Sequence, residues 1–268
     1  MKRFFFIFLI LLIVGVVLVA PGLMADRAAN ALRQSFDSMS VPGMVEVELA
    51  EVDQGWFSSK AKSRIRILPG LSESLEEEDI EFEDISLNLD HVLRHGPLMW
   101  TDEGPKLALA YLETDLDAPE DASPMLQGYL AGRPLLALRT SIGFGGGSVT
   151  NISNPPIEPN TPGYETVTWD GLNGKISYQG EDLDIDIKAP RFDTNMGAIS
   201  GKMLGLKIEA DLQKAGKSLW MGDSEFSIEE IDASGPLPSL PINIKGLSLG
   251  SEAEKTDDGG MDAEARYG

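Results

Sequence analysis

The chain has 268 residues, a net charge of −21 and no cysteine. Nucleic-acid binding is excluded, because a duplex binder neutralises phosphates with clustered Lys and Arg, and the 22 basic residues here form no cluster against 43 acids. The missing cysteines remove disulfides, thiolate zinc sites, iron–sulfur clusters and cysteine nucleophiles together, while leaving the compartment open.

Lys2 and Arg3 precede an apolar run from Phe4 to Ala20, and the first charge after it is Asp26. At 1.5 Å rise per residue, residues 4–25 make a helix of about 33 Å, enough to cross a hydrocarbon core of about 30 Å. The basic end stays cytoplasmic, so the rest of the chain is expected across the membrane. A cleaved signal peptide is the rival reading, and Pro21 directly after Ala20 makes a poor cleavage site there. Residues 24–38 read as a short helix, with Ala28, Leu32 and Phe36 on one face, which places a juxtamembrane segment at 26–40.

After Pro42-Gly43 the apolar period changes from about 3.6 to 2. Val45, Val47 and Leu49 alternate with Glu46 and Glu48, and Ser63, Ile65 and Ile67 alternate with Lys62, Arg64 and Arg66. Paired antiparallel, these strands set acid opposite base. Ile80 and Phe82 start a further strand that Ile85, Leu87 and Leu89 continue one residue out of phase, which predicts a bulge near Glu83. The segment of His91 and His95 is expected to be leaving that strand. Residues 106–116 alternate with both faces apolar, a strand covered twice or a helix. Ser123-Pro124 opens a short helix toward Gly132. Strands are then predicted at 134–142, 148–152, 164–169 and 174–179, around Leu183–Ile187 and over Leu204–Leu212. Shorter runs follow at Phe226 and Ile228, Ile242 and Ile244, and Leu247 and Leu249. Met261, Ala263, Ala265 and Tyr267 alternate again after a turn at 257–260, and this reads as the start of a strand in a longer protein.

The fold class expected is mainly β: an N-terminal transmembrane helix, then an extended antiparallel sheet domain with a few short helices. The proline-rich stretch 154–163 separates a β-rich subdomain at 41–153 from a second at 164–250. An anchor at 1–25 precedes them, and an acidic turn with the start of a strand follows at 251–268.

Chemical motifs mostly fail. Gly143-Phe144-Gly145-Gly146-Gly147-Ser148 lacks the third glycine of a dinucleotide fingerprint, and Gly216-Lys217-Ser218 lacks the leading glycine of a phosphate loop. The two histidines are His91 and His95; Val92 stands where a zinc protease needs glutamate. A Ser-His-Asp triad has no nucleophile elbow to sit on. The acids from Glu73 to Asp84 match no calcium loop. Forty-three acids leave a paired-carboxylate hydrolase open. No catalytic, cofactor-binding or metal-ligating residue emerges, and no cofactor is expected.

Gly55-Trp56-Phe57-Ser58-Ser59, then His95-Gly96-Pro97-Leu98, Ser141–Gly146, Trp169-Asp170-Gly171-Leu172-Asn173-Gly174 and Leu219-Trp220-Met221-Gly222, all behind the basic-apolar start, resemble the YdgA-like family of bacterial envelope proteins. The resemblance implies an inner-membrane-anchored protein with its bulk in the periplasm, a β-rich fold and no established activity. Gly55, Trp56, Phe57, Ser58, Ser59, His95, Gly96, Pro97, Trp169 and Gly171 are its motif positions, with no assigned role. Physically, Gly55 supplies backbone freedom, Trp56 and Phe57 are expected to anchor a hairpin end on the core, and Pro97 makes a rigid turn. The leading expectation is a non-enzymatic binding or scaffold protein. Its partners would be the inner membrane through residues 4–25 and a lipid or envelope protein on an apolar sheet face, with a second copy of the chain also open to it. An envelope hydrolase of glycan or lipid and a calcium-stabilised module are the alternatives.

Overall fold

The computed structural model describes residues 45–67, 85–117, 130, 132–156, 166–196, 199–215, 220–234, 242–255 and 261–268. The anchor at 4–25, the helix at 24–38, the acidic run with its bulge near Glu83, the helix opened by Ser123-Pro124, residues 157–163 and the turn at 257–260 lie outside these residues. Within them the chain is almost entirely strand and turn. None of their helical residues belongs to a helix long and apolar enough to cross a membrane. The short helices expected of the domain are therefore nearly absent among the described residues. Two compact units form: unit 1 is Met1–Glu120 with Arg139–Gly145, and unit 2 is Asp121–Leu138 with Gly146–Gly268.

In unit 1, β1 (Val45–Gln54) and β2 (Ser58–Ile67) pair antiparallel and set Glu46 opposite Arg66 and Glu48 opposite Arg64. Next comes β3 (Ile85–His95), which pairs with β2 on one side and with β6 (Ala110–Leu116) on the other. It runs through both histidines, so the expectation that the chain leaves the strand there is corrected. Between them, β4 (Met99–Thr101) and β5 (Gly104–Lys106) form a small hairpin. The strand expected over 106–116 is broken at residues 107–109, where Gly96 N–H donates to the Leu109 carbonyl and Leu109 N–H to the Ile142 carbonyl. Within β6, neighbouring Ala110 and Tyr111 are both buried, so this strand is covered on two faces. Tyr111 packs with Met99 and Ala108. Strand β7 (Leu136–Ile142) contributes its residues from Arg139 onward to unit 1.

Unit 2 is a large antiparallel meander. Its strands are β8 (Ser148–Asn154), β9 (Thr166–Trp169), β10 (Leu172–Gln179), β11 (Asp182–Met196), β12 (Ile199–Lys214), β13 (Trp220–Ser234), β14 (Ile242–Lys255) and β15 (Met261–Tyr267). Neighbours run β8-β10-β11-β12-β13-β14-β15, and β9 lies beside the far half of β11. Strands β11 to β14 are 14 to 16 residues long, well beyond the runs that alternation delimited.

The reason is a phase slip. The apolar positions move by one residue between Ala189 and Phe192, Met203 and Leu206, Ile228 and Ile231, and Ile244 and Leu247. Ladder pairs are missing at this same row, which holds Pro190, Gly205, Glu229 and Gly246. Gly205 and Gly246 have φ of +62° and +69°, a region glycine enters freely. Local left-handed backbone of this kind resets the pleat, as at a bulge. One long strand therefore reads as two short ones in the sequence.

Candidate functional site

Directly opposed residues of antiparallel strands share a face. On one face of unit 1 that rule groups Ser59, Ala61 and Ser63 of β2 with Leu89, His91, Leu93 and His95 of β3 and Leu112 and Thr114 of β6. Ser59, Ser63, His91, His95 and Thr114 are all buried. His91 bridges the three strands, with Nε2 2.8 Å from Ser63 Oγ and Nδ1 2.9 Å from Thr114 Oγ1. His95 Nε2 lies 3.4 Å from Ser59 Oγ. Burial holds His91 below the usual histidine pKa, while neighbouring Asp90 pulls the other way. The ring is thus neutral near pH 7 and donates through one nitrogen while accepting through the other.

A serine beside a histidine invites comparison with a hydrolytic triad. Here a hydroxyl, not a carboxylate, holds the second ring nitrogen, and both serine and histidine are enclosed. What the array does is satisfy buried polar groups across three strands.

Ion pairs occupy the opposite face. Arg94 donates to both oxygens of Glu113, at 2.9 and 3.3 Å. Arg139 donates to Asp115 at 2.7 Å, to Asp102 at 3.1 Å and to the Thr114 carbonyl at 3.3 Å. The Tyr111 hydroxyl donates to Asp102 at 3.3 Å, and Lys106 sits 4.5 Å over the Tyr111 ring. Burial, then the charges of Asp102 and Glu103, push the Tyr111 pKa up. Burial raises Asp102, but hydrogen bonding and charge from Arg139 outweigh it and leave that carboxyl low.

Unit 2 has two contrasting faces. One carries Ile176-Ile185-Ala210, Ile187-Ile208-Phe226-Leu249-Tyr267 and Tyr178-Leu183-Leu212 as rows of directly opposed residues across successive strands. Most of these side chains are only half buried, and Leu249 and Tyr267 are exposed. The other face aligns Asp184, Asp211, Asp223, Glu252 and Glu264 on five successive strands, beside a row of Asp186, Glu209 and Glu225. Part of this repulsion is offset: Lys188 lies 3.0 Å from Asp186, Lys207 2.7 Å from Glu209, and Arg266 pairs with Glu252. Asp184, Asp211 and Asp223 of the first row and Asp186, Glu209 and Glu225 of the second line an open groove of about 840 Å³. Among the described residues no three of His, Asp and Glu are grouped to hold a metal ion.

The structure joins some motif positions and separates others. Gly55, Trp56 and Phe57 form the β1–β2 turn, and a Cβ on Gly55 would lie 2.4 Å from the Ser58 carbonyl oxygen, so only glycine fits. The Phe57 carbonyl accepts from His95 N–H at 3.1 Å, which staples the first motif to His95-Gly96-Pro97. Ser58 stands opposite Arg94, and Ser59 faces inward beside His95. Trp56 and Phe57 are half exposed or more, so the expected anchoring on the core is corrected: the Phe57 carbonyl, bonded to His95 N–H, ties the turn to β3.

Trp169 and Gly171 belong to unit 2. The Trp169 ring meets Phe192 edge-on at 6.1 Å, and its indole N–H donates to Asn154. Gly171 (φ +89°) passes Asn154 so closely that a Cβ would sit 2.8 Å from its carbonyl oxygen. The glycine-rich stretch after Ile142 is a turn, with Gly146 at φ +85°.

Sequence reasoning missed Ser63, Thr114, Arg94, Glu113 and Arg139. The first two were within reach, since extending the phase of Leu87 and Leu89 puts His91 and His95 on the inward face, where each needs a partner.

A model of the DUF945 family, described as bacterial protein of unknown function, matches residues 1–268. No curated protein and no solved structure matches the chain.

Proposed function

We propose, for a chain that belongs to the DUF945 family of bacterial proteins, that it is a YdgA-like, non-enzymatic binding or scaffold protein of the envelope. In this reading residues 4–25 anchor it in the inner membrane and the sheets stand in the periplasm. One observation carries the binding role: the half-exposed apolar rows that cross strands β10 to β15 of unit 2. An apolar surface this continuous is costly to leave in water and marks a contact. An acyl chain or an apolar stretch of another envelope protein suits it, because a sheet face offers apolar area with few polar groups to fix orientation.

Lipid mass spectrometry and protein identification on the full chain purified from membranes test this. A lipid or protein partner is expected at near-stoichiometric yield, and at least several-fold less with Phe226→Asp. Recovering neither from the wild-type chain overturns the reading.

The acid-lined groove favours a second reading, a hydrolase of envelope glycan or lipid that uses carboxylates as acid and base. It predicts hydrolysis of isolated envelope material that Asp211→Asn abolishes. Activity unchanged in that variant removes the role from Asp211.

A further inference from the structure

We propose that one end of unit 1 is a bilayer-contacting rim, which seats Trp56, Phe57, Leu98, Trp100, Leu107 and Phe144 in the interface of an uncharged, zwitterionic lipid surface. This goes beyond the apolar-face reading of unit 2, and either can fail while the other holds.

Backbone bonds bring these residues together. The Phe57 carbonyl accepts from His95 N–H, Gly96 N–H donates to Leu109, and Leu109 N–H donates to Ile142. The connections at 55–57, 96–98, 107–109 and 142–144 thus meet at one end of the unit. Trp100 sits on the β4–β5 hairpin that leaves from there. All six side chains are exposed, Leu107 by 78%, Trp100 by 69% and Phe144 by 63%.

Four features select a bilayer as the occupant. The composition is two Trp, two Phe and two Leu, and indole rings favour the boundary between water and acyl chains. These residues stand on turns and a hairpin, which protrude and do not enclose a ligand. Three of the backbone N–H groups at this end, those of His95, Gly96 and Leu109, already donate to neighbouring connections, so moving it out of water strands fewer backbone groups. Neighbouring charges are matched within the protein, with Asp102 on Arg139 and Glu103 on Lys106. The rim is therefore nearly neutral in a chain of net charge −21, which anionic lipid would repel.

On the proposed reading that residues 4–25 are the membrane anchor, the rim lies within reach of the bilayer. Residues 26–44 span up to about 60 Å when extended, and about 40 Å if they are helical through residue 38. Strand β1 is 10 residues, about 33 Å, so the chain can return its far end to the surface that holds it.

The absence of cysteine allows single spin labels on the otherwise native full chain. Labels at Leu107→Cys and Phe144→Cys would be compared with Lys62→Cys and Asn88→Cys, exposed sites of the same unit, in phosphatidylcholine vesicles. The expected result is an oxygen-to-nickel-chelate collision ratio several-fold higher at the two rim positions. Rim labels as open to the chelate as the reference labels overturn the proposal. Rim labels shielded from both reagents and broadened by each other also overturn it, because a second copy then covers the rim.

Should the labelled chains lose their melting transition, tryptophan quenching by brominated phosphatidylcholine decides. The quenched fraction of the native chain must fall by half or more in Trp56→Phe/Trp100→Phe. An unchanged fraction counts against the rim.

Discussion

Replacing Gly222 with alanine is expected to lower the stability of unit 2 by about 3 kcal/mol or more, a loss in the range reserved for backbone strain and broken ladders. Gly222 lies in β13 at φ +130°, opposite Leu212 of β12. A Cβ there would lie 2.1 Å from the Asp211 carbonyl oxygen and 3.1 Å from Leu212 Cα. Both neighbours are backbone in the adjacent strand, so no rotamer relieves the clash. Either the φ changes or the strands part, and both outcomes break ladder bonds between β12 and β13. Gly250 of β14 is the control, since its added Cβ would meet nothing nearer than 3.7 Å. Thermal melts of the full chain should show Gly222→Ala lower by roughly 6–12 °C, taking 2–4 °C per kcal/mol for a unit of this size, with Gly250→Ala close to wild type. Equal midpoints for the two variants would mean that the close approach at Gly222 is not a constraint.

That glycine also shows where the sequence stops being readable. The β1–β2 hairpin was legible because alternation runs from Val45 to Leu49, ahead of a register shift before Glu51, and through Ser63, Ile65 and Ile67 of β2, with outward charges of opposite sign, so face and pairing agree. Strands β11 to β14 were legible only in halves. Their alternation slips at Pro190, Gly205, Glu229 and Gly246, and a slip in one strand looks like an ending. Only when the strands are aligned do the four slips fall on one row.

The acid ladder follows the same logic. Alternation puts Asp184 on an outward face, but its place opposite Asp211, itself opposite Asp223, is a property of register. Leu107 looked like a strand position because its neighbours alternate, while the bonds that end β5 and begin β6 come from Gly96 and Ile142. Arg139 reaches Asp115 and Asp102 from 24 and 37 residues away, a distance that no local pattern records. His91 and His95 were misjudged for another reason. A polar residue near Gly96-Pro97 reads as the edge of a turn, whereas hydroxyls on the neighbouring strands make an inward imidazole affordable.

Loss of the His91 ring should cost unit 1 about 2–4 kcal/mol in His91→Leu, since Ser63 and Thr114 would keep their burial and lose the group that bridges them. The same burial gives wild-type stability a definite pH dependence. The folded-state pKa of His91 lies below its unfolded value of about 6.5. Above that pH both states are neutral there, and the contribution is fully present. As the pH falls below about 6.5 the unfolded chain takes up a proton that the folded ring refuses, so stability drops. The drop continues until the folded ring itself titrates, and then levels off. In His91→Gln this component is absent, and the amide can still bond one of the two hydroxyls. Urea midpoints taken from pH 7.5 to 5 should therefore fall more steeply for wild type than for His91→Gln. Parallel curves would show that the ring carries its proton equally well in both states, and the neutral bridge between β2 and β6 would have to be abandoned.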